Sequence, residues 1–166
     1  MATNLKNLST YNAQSIPNAK DMSFGIVVSE WNEQVTASLC KAATDCLIEN
    51  GAKIENIIIK HVPGSFELVL GAQLLLENTA ADAILCLGCV IQGETRHFDF
   101  ICNAVSEGIM KLNSAYNTPV IFGLLTTNSI EQALDRSGGK HGNKGTEAAV
   151  TAIKMIALQQ EMESNH

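Results

Sequence analysis

The chain has 166 residues, of which 46% are hydrophobic and 17% charged, a composition that suits one globular domain and excludes a disordered chain. Its formal net charge is −6, and its lysines and arginines are scattered without a basic stripe, which disfavours nucleic acid as a partner. Residues 1–20 lack the apolar core of a signal peptide and no apolar run reaches transmembrane length, so no membrane association is expected and the expected location is cytoplasmic.

Strand-like and helix-like segments alternate along the chain. Residues 1–20 are predicted to form an extended arm, and residues 21–166 a single domain. Apolar runs predict strands at 23–29, 54–62, 83–91 and 119–126. Periodicity and capping residues predict five helices. The first two span 33–50 and 66–78, and the third runs from the turn after the third strand to about residue 116. The fourth begins at Asn128, which is predicted to be its N-cap, and the fifth begins at about residue 146. A Gly/Lys/His loop is predicted at 138–145.

This alternation predicts the architecture of the domain. Continuous apolar strands separated by helices are typical of buried parallel strands joined by right-handed crossovers. The chain is therefore predicted to be a three-layer α/β/α sandwich around a parallel four-stranded sheet. Ligands of such proteins bind at the carboxyl ends of the strands, so functional residues are expected at the junctions 29–32, 62–67, 90–97 and 126–128.

The junction after the third strand carries the most chemistry. The strand ends, a polar turn follows, and a helix begins with Phe98, Ile101 and Val105 on one face. Free N–H groups and the positive end of the helix dipole make the start of such a helix a favourable binding site for phosphate. An imidazole at His97 can transfer protons near neutral pH. A threonine cap at Thr95 beside a surface histidine explains the same residues equally well.

The other junctions leave alternatives open. Trp31, the single tryptophan, is either a core residue or, as its polar neighbours favour, a rim residue whose indole can stack on a planar ring. Ser65 and Glu67 follow a Pro-Gly turn, where a serine cap and a dipole-compensating glutamate account for them as well. Arg136 ends the short helix after the fourth strand, a position that helix-dipole preference alone explains.

Five cysteines in a chain without a signal sequence indicate reduced thiols. Cys86 and Cys89 form a C-x-x-C pattern, but it lies inside a strand, where residues three apart point to opposite faces. Because no second such pair could complete a zinc site, buried and inert cysteines are the better interpretation. The sequence also lacks the glycine-rich motifs of nucleoside triphosphate and dinucleotide sites.

Linked motifs identify a family. They read VPGSFE at 62–67, GCVIQGETRHFD at 88–99, FGLLTT at 122–127, EQALDR at 131–136 and GNKGTEAA at 142–149. Together, in this order and spacing, they resemble the 6,7-dimethyl-8-ribityllumazine synthase family, the riboflavin synthase beta chain family. The resemblance extends from about residue 24 to the last helix.

The resemblance implies a reaction and a fold. Family members are transferases that condense 5-amino-6-(D-ribitylamino)uracil with 3,4-dihydroxy-2-butanone 4-phosphate to 6,7-dimethyl-8-ribityllumazine, releasing phosphate and water. This is the penultimate step of riboflavin biosynthesis, and it needs no metal and no redox cofactor. The implied fold is a flavodoxin-like layer sandwich, and the implied assembly is a homopentamer with active sites at subunit interfaces. Association with riboflavin synthase is also an expectation.

The resemblance also assigns roles to residues by position. His97 matches the proton-transfer residue. The phosphate would be held by Gly93, Glu94, Thr95 and Arg136. The pyrimidine and its ribityl chain would be bound by Trp31, which stacks, by Ser65, Phe66 and Glu67, by the strand end at Val90 and Ile91, and by Phe122 and Lys144, which match positions associated with a neighbouring subunit's contribution.

Two other functions compete with the synthase. A flavin or lumazine carrier would use Trp31 without turnover, and a shell or scaffold protein would have assembly as its function. Intact His97 and Arg136 favour the synthase, because a carrier needs neither. The short segment 136–145 resembles that of capsid-forming members, which predicts an icosahedral shell of sixty chains. The arm at 1–20 is predicted to add an edge strand to a neighbour's sheet.

Overall fold

The computed structural model describes residues 10–12 and 15–164. Its main sheet contains β1 (Phe24–Ser29), β2 (Ile57–Val62), β3 (Ala83–Ile91) and β4 (Val120–Thr127). The helices are α1 (Glu33–Glu49), α2 (Leu68–Asn78), α3 (His97–Tyr116), α4 (Ile130–Asp135) and α5 (Lys144–Ser164). A small hairpin joins β5 (Ser137–Gly139) to β6 (Gly142–Asn143), and a 3-10 turn (Ile54–Asn56) precedes β2.

The four main strands are all parallel and lie in the order β2-β1-β3-β4. Helices α1 and α5 pack on one face of the sheet, while α2 and α3 pack on the other. Both faces are therefore covered, which explains why β1 and the first seven residues of β3 are buried. The predicted three-layer sandwich is confirmed, and the strand order is that of flavodoxin-like proteins.

Strand alternation divides the interior into two cores. Phe24, Ile26 and Leu85 point toward α1 and α5, whereas Val27 and Ile84 point toward α2 and α3. All five side chains are fully buried. The sheet is thus fixed between two apolar layers, and its carboxyl edge is left free for function.

Several predicted element boundaries are wrong by a few residues. The second strand begins at Ile57 because the three residues before it form the 3-10 turn. The second helix begins at Leu68, and the predicted Ser65 side-chain cap is absent because the Ser65 backbone carbonyl accepts the Leu68 N–H. In place of a plain loop at 138–145, the chain forms the β5–β6 hairpin and enters α5 at Lys144.

The cap of α4 was predicted one residue too early. Ser129, in an extended backbone conformation, accepts the Gln132 N–H through its Oγ, and the helix starts at Ile130. Asn128 lies before the cap, and its N–H donates to the Gln132 side chain. Both residues are good caps, so the choice between them depends on the backbone angle at which β4 ends.

The cysteine prediction is confirmed. Cys86 belongs to the core beneath α2 and α3, Cys89 to the core beneath α1 and α5, and both are buried. Burial raises the pKa of Cys86 to about 12 and that of Cys89 to about 11. These thiols remain protonated at neutral pH, so they are poor nucleophiles and poor redox groups. All five cysteines are free thiols.

The predicted arm is only partly within the described residues. Tyr11, Ile16 and Ala19 pack against the chain's own core on the α1 side, and the Tyr11 hydroxyl lies 3.5 Å from the Cys46 Sγ. Residues 1–9, 13 and 14 lie outside the described part of the chain. Addition of the arm to a neighbour's sheet therefore stays a prediction.

A close helix contact gives a test of the packing. Gly145, in the first turn of α5, approaches α1 so closely that a Cβ there would lie 2.0 Å from the Leu39 carbonyl oxygen. We expect Gly145→Ala to lower the free energy of unfolding by about 1–3 kcal/mol or more, because backbone must move. Gly93→Ala is the matched control, since nothing lies within 4 Å of a Cβ at that position. Urea denaturation at fixed protein concentration measures both, and equal midpoints would contradict the packing.

Candidate active site

A cleft of about 680 Å³ opens at the carboxyl edge of the sheet. Its walls come from the first three strand-to-helix junctions and from the first turns of α3. The lining residues are Trp31, Asn32, Pro63, Gly64, Ser65, Phe66, Glu67, Cys89, Val90, Ile91, His97 and Ile101. The cleft therefore lies at the edge where the sequence predicted it.

The first junction places an indole at the rim of the cleft. Trp31 is 74% exposed, so the alternative of a core tryptophan is wrong. Its backbone N–H donates to the Pro63 carbonyl at 3.2 Å. The next residue, Asn32, has a φ of 64° and donates its Nδ2 to the Cys89 carbonyl at 2.9 Å. These two hydrogen bonds join the first junction, which carries the indole, to the second junction and to the end of the third strand.

The second junction forms the floor and one wall of the cleft. Ser65 is only 7% exposed, and its Oγ makes no hydrogen bond with the described residues. Gly88 makes room for this hydroxyl, because a Cβ there would lie 2.9 Å from the Oγ. Phe66 is 56% exposed, and the Glu67 Oε2 lies against Gly64. A buried hydroxyl and a carboxylate therefore border the cleft.

The third junction brings the predicted phosphate turn to the start of α3. Gly93, Glu94 and Thr95 are exposed in the turn that leads to the helix. Thr95 lies one residue before the cap position at Arg96, and its Oγ1 accepts the His97 N–H at 3.4 Å. His97 is the first residue of α3 and lines the cleft with its exposed side chain. The helix dipole and the N–H groups of the first turn favour an anion here.

A second group of predicted site residues does not line the cleft. Phe122 is exposed on β4, while Arg136 and Lys144 lie on either side of the β5–β6 hairpin. The Arg136 Nη1 donates to the His141 carbonyl at 2.7 Å and lies 2.8 Å from the Glu147 Oε1. The Lys144 Nζ donates to the Glu147 Oε2 at 3.2 Å. One chain therefore does not bring these residues to its own cleft.

The sequence prediction missed residues that line the cleft. Asn32, Pro63, Gly64, Cys89 and Ile101 were not predicted as site residues, although the first three lie in predicted junctions. Asn32 could have been found, since asparagine tolerates the left-handed conformation better than most residues and its position lies between a strand and a helix. Ile101 carries no such signal, because its apolar side chain equally suits the helix face toward the core.

Neither a metal centre nor a membrane span is found among residues 10–12 and 15–164. In these ranges no three His, Cys, Asp or Glu side chains are grouped so that they could hold a metal ion. Within the same ranges no helix combines the length and apolarity needed to cross a membrane.

The fold and the cleft together define a class. A parallel sheet of order 2-1-3-4, with a cleft at its carboxyl edge that carries an exposed indole, a carboxylate and an imidazole, is that of a flavodoxin-like α/β protein with a small-molecule site.

Comparison with known proteins gives the family. The sequence profile of 6,7-dimethyl-8-ribityllumazine synthase matches residues 21–160. A protein of that name from Cytophaga hutchinsonii is 60% identical over 92% of this chain and 95% of its own. Those of Flavobacterium johnsoniae and Parabacteroides distasonis are 53% identical, covering 100% and 94% of this chain and 87% and 98% of their own. The chain belongs to the 6,7-dimethyl-8-ribityllumazine synthase family, and it is an enzyme of the transferase class.

The Asn32 side chain provides a test of how the cleft is held together. Asn32→Gly keeps a residue that tolerates positive φ but removes the hydrogen bond to Cys89. We expect a loss of about 0.5–1.5 kcal/mol in the free energy of unfolding beyond that of Asn117→Gly. Asn117 is the matched control because it also has positive φ, while its hydrogen bonds use backbone atoms. Equal losses in denaturant titrations would show that the bond contributes nothing.

Proposed function

We propose that this chain condenses 5-amino-6-(D-ribitylamino)uracil with 3,4-dihydroxy-2-butanone 4-phosphate to form 6,7-dimethyl-8-ribityllumazine, the penultimate step of riboflavin biosynthesis. The observation that supports this most directly is the meeting of Trp31, Glu67 and His97 at one cleft next to the N-terminus of α3. A planar ring, a polyol chain and a phosphate each find a matching group there. The shared family supports the same reaction.

The chemistry needs positioning and proton transfer more than a strong nucleophile. An amine of the pyrimidine adds to the ketone, water leaves to give an imine, and loss of a proton then expels phosphate. The enol that remains tautomerises to a ketone, and the second amine attacks this ketone and closes the ring with loss of water. Holding the two substrates together supplies much of the rate, and a residue that moves protons supplies the rest. His97 has the position and the chemistry for that transfer.

The substrate contacts in this proposal follow the layout of the cleft. Trp31 stacks on the pyrimidine, and the backbone of Val90 and Ile91 hydrogen-bonds the ring. The ribityl chain lies along Ser65, Phe66 and Glu67, where the buried Ser65 hydroxyl makes no hydrogen bond with the described residues. The phosphate lies on the turn formed by Gly93, Glu94 and Thr95, with the Glu94 carboxylate directed away from it.

The proposal assigns the remaining contacts to a neighbouring chain. Phe122, Arg136 and Lys144 lie away from the chain's own cleft, so a second copy would bring them to it. The exposure of Trp31 and Phe66 supports an interface at the cleft, because such large apolar side chains are usually covered. We therefore propose a homopentamer with shared active sites. The proposal includes a cytoplasmic location and association with riboflavin synthase, the enzyme that consumes the lumazine product.

The role of His97 can be tested by turnover. We expect His97→Ala to lower the rate of lumazine formation by roughly 10-fold to 10³-fold, at or below the usual range for general acid–base catalysis. Absorbance of the product measures the rate. His61→Ala is the matched control, because His61 is an exposed histidine on β2 outside the cleft. An assembled His97→Ala enzyme with unchanged turnover would exclude this role, and an inactive wild-type enzyme would exclude the proposed reaction.

Trp31 can be followed by its own fluorescence, since it is the single tryptophan of the chain. We expect riboflavin or a substrate analogue to quench it on titration, because stacking brings the ring against an indole that is open to solvent. Trp31→Phe should remove the signal and keep turnover. Flat fluorescence at saturating analogue would contradict stacking. Flavin retained through purification without turnover would instead identify a carrier.

The assembly can be measured by light scattering or analytical ultracentrifugation. We expect sixty chains in an icosahedral shell built from pentamers, because the segment 136–145 contains only a short hairpin and leaves no long insert between α4 and α5. A dominant species of about five or ten chains at neutral pH would exclude the shell. A monomer would exclude the shared active site as well.

A further inference from the structure

Glu147 lies between Arg136, which the proposed function brings to the phosphate, and Lys144, which it brings to the pyrimidine and its ribityl chain. Its Oε1 lies 2.8 Å from the Arg136 Nη1, and its Oε2 accepts from the Lys144 Nζ at 3.2 Å. The Glu147 side chain is 16% exposed, that of Arg136 13% and that of Lys144 27%. The carboxylate thus bridges two cations in a largely buried cluster, where ion pairs are screened less than on the surface.

The contacts of Arg136 fix one end of its guanidinium. Its Nη1 donates to the His141 carbonyl at 2.7 Å, and the same nitrogen forms an ion pair with the Glu147 Oε1, which makes no hydrogen bond with the described residues. The backbone is held as well, because the Lys144 N–H donates to the Arg136 carbonyl at 2.9 Å. Nε and Nη2 remain as the donors that could meet a phosphate, and a guanidinium binds phosphate best with two parallel N–H groups.

The charge of the cluster suits an anion. Two cations and one carboxylate leave one net positive charge, which attracts a phosphate. A flexible arginine would also lose more side-chain entropy when it binds phosphate than one already held by Glu147.

We infer that Glu147 is a positioning residue for the phosphate-bearing substrate: it holds Arg136 in the orientation in which the guanidinium binds the phosphate. The inference rests on the proposed function. Glu147 itself does not touch the substrate. Its effect reaches the phosphate through the Arg136 guanidinium.

The test compares substitutions at Glu147 with an equal change of charge elsewhere. Glu147→Gln keeps the size of the side chain and removes the charge. We expect it to raise the KM for the butanone phosphate by roughly 10-fold or more, while the KM for the pyrimidine stays within about twofold. Glu147→Asp retains the carboxylate and should give an intermediate KM. Glu107→Gln, which removes an exposed carboxylate paired with Lys111 on α3, should leave both values unchanged.

Assembly is checked by light scattering on every variant. An assembled Glu147→Gln enzyme with an unchanged KM for the butanone phosphate, or with both KM values raised alike, would overturn the inference. If Glu147→Gln fails to assemble, Glu147→Asp decides the question, because a wild-type KM in that variant would also overturn it. If the assembled wild-type enzyme does not form lumazine, the proposed function fails, and that result is separate from a failure at Glu147.

A double-mutant cycle gives a readout that a merely structural role would not produce. If Glu147 acts through Arg136, Arg136→Ala alone and Arg136→Ala with Glu147→Gln should have KM values for the butanone phosphate within about threefold of each other. A double variant whose KM rises by the product of the two single effects would show that Glu147 acts independently and would overturn the inference.

Discussion

Hydrogen bonds that join the strand-to-helix junctions to one another hold the carboxyl edge of the sheet in shape. The Trp31 N–H continues the β1–β2 pairing past the end of the strands by donating to the Pro63 carbonyl, and the Asn32 side chain crosses to the Cys89 carbonyl. Junction loops exposed to solvent would otherwise move independently. With these bonds in place, the indole, the Ser65 hydroxyl and the imidazole at the start of α3 keep a fixed relation.

This edge depends in turn on the burial beneath it. Because α1 and α5 cover one face of the sheet and α2 and α3 the other, the central strands β1 and β3 are almost wholly apolar and the polar groups of the cleft follow their ends. Close approaches maintain the layers: Gly88 admits the Ser65 side chain, and Gly145 brings α5 against the backbone of α1. The second approach also fixes the first turn of α5, which contains Glu147.

The sequence predicted the sheet, the order of the elements and the edge that carries the cleft, because hydrophobic runs and their interruptions depend on burial alone. It was less accurate where two local solutions are nearly equal in energy. Asn128 and Ser129 can each cap α4, and the Ser65 hydroxyl and its carbonyl compete for the first free N–H groups of α2. The role of Asn32 depends on a contact 57 residues away, which no local pattern encodes. In our proposal, Arg136 reaches the cleft of a second chain. The hydrophobic periodicity of one chain carries no information about such a contact between chains.

The five free thiols affect how long the purified protein stays intact in air. The native fold protects Cys86 and Cys89 from air because their protonated sulfur atoms are enclosed on opposite faces of the sheet. Unfolding removes that protection, and the pKa of each thiol returns toward its ordinary value of about 8.5. Oxidation can then pair cysteines that are never neighbours in the native state, and an odd number always leaves one thiol to link separate chains. Heating in air without a reductant would therefore make unfolding irreversible, because disulfides would cross-link the unfolded chains.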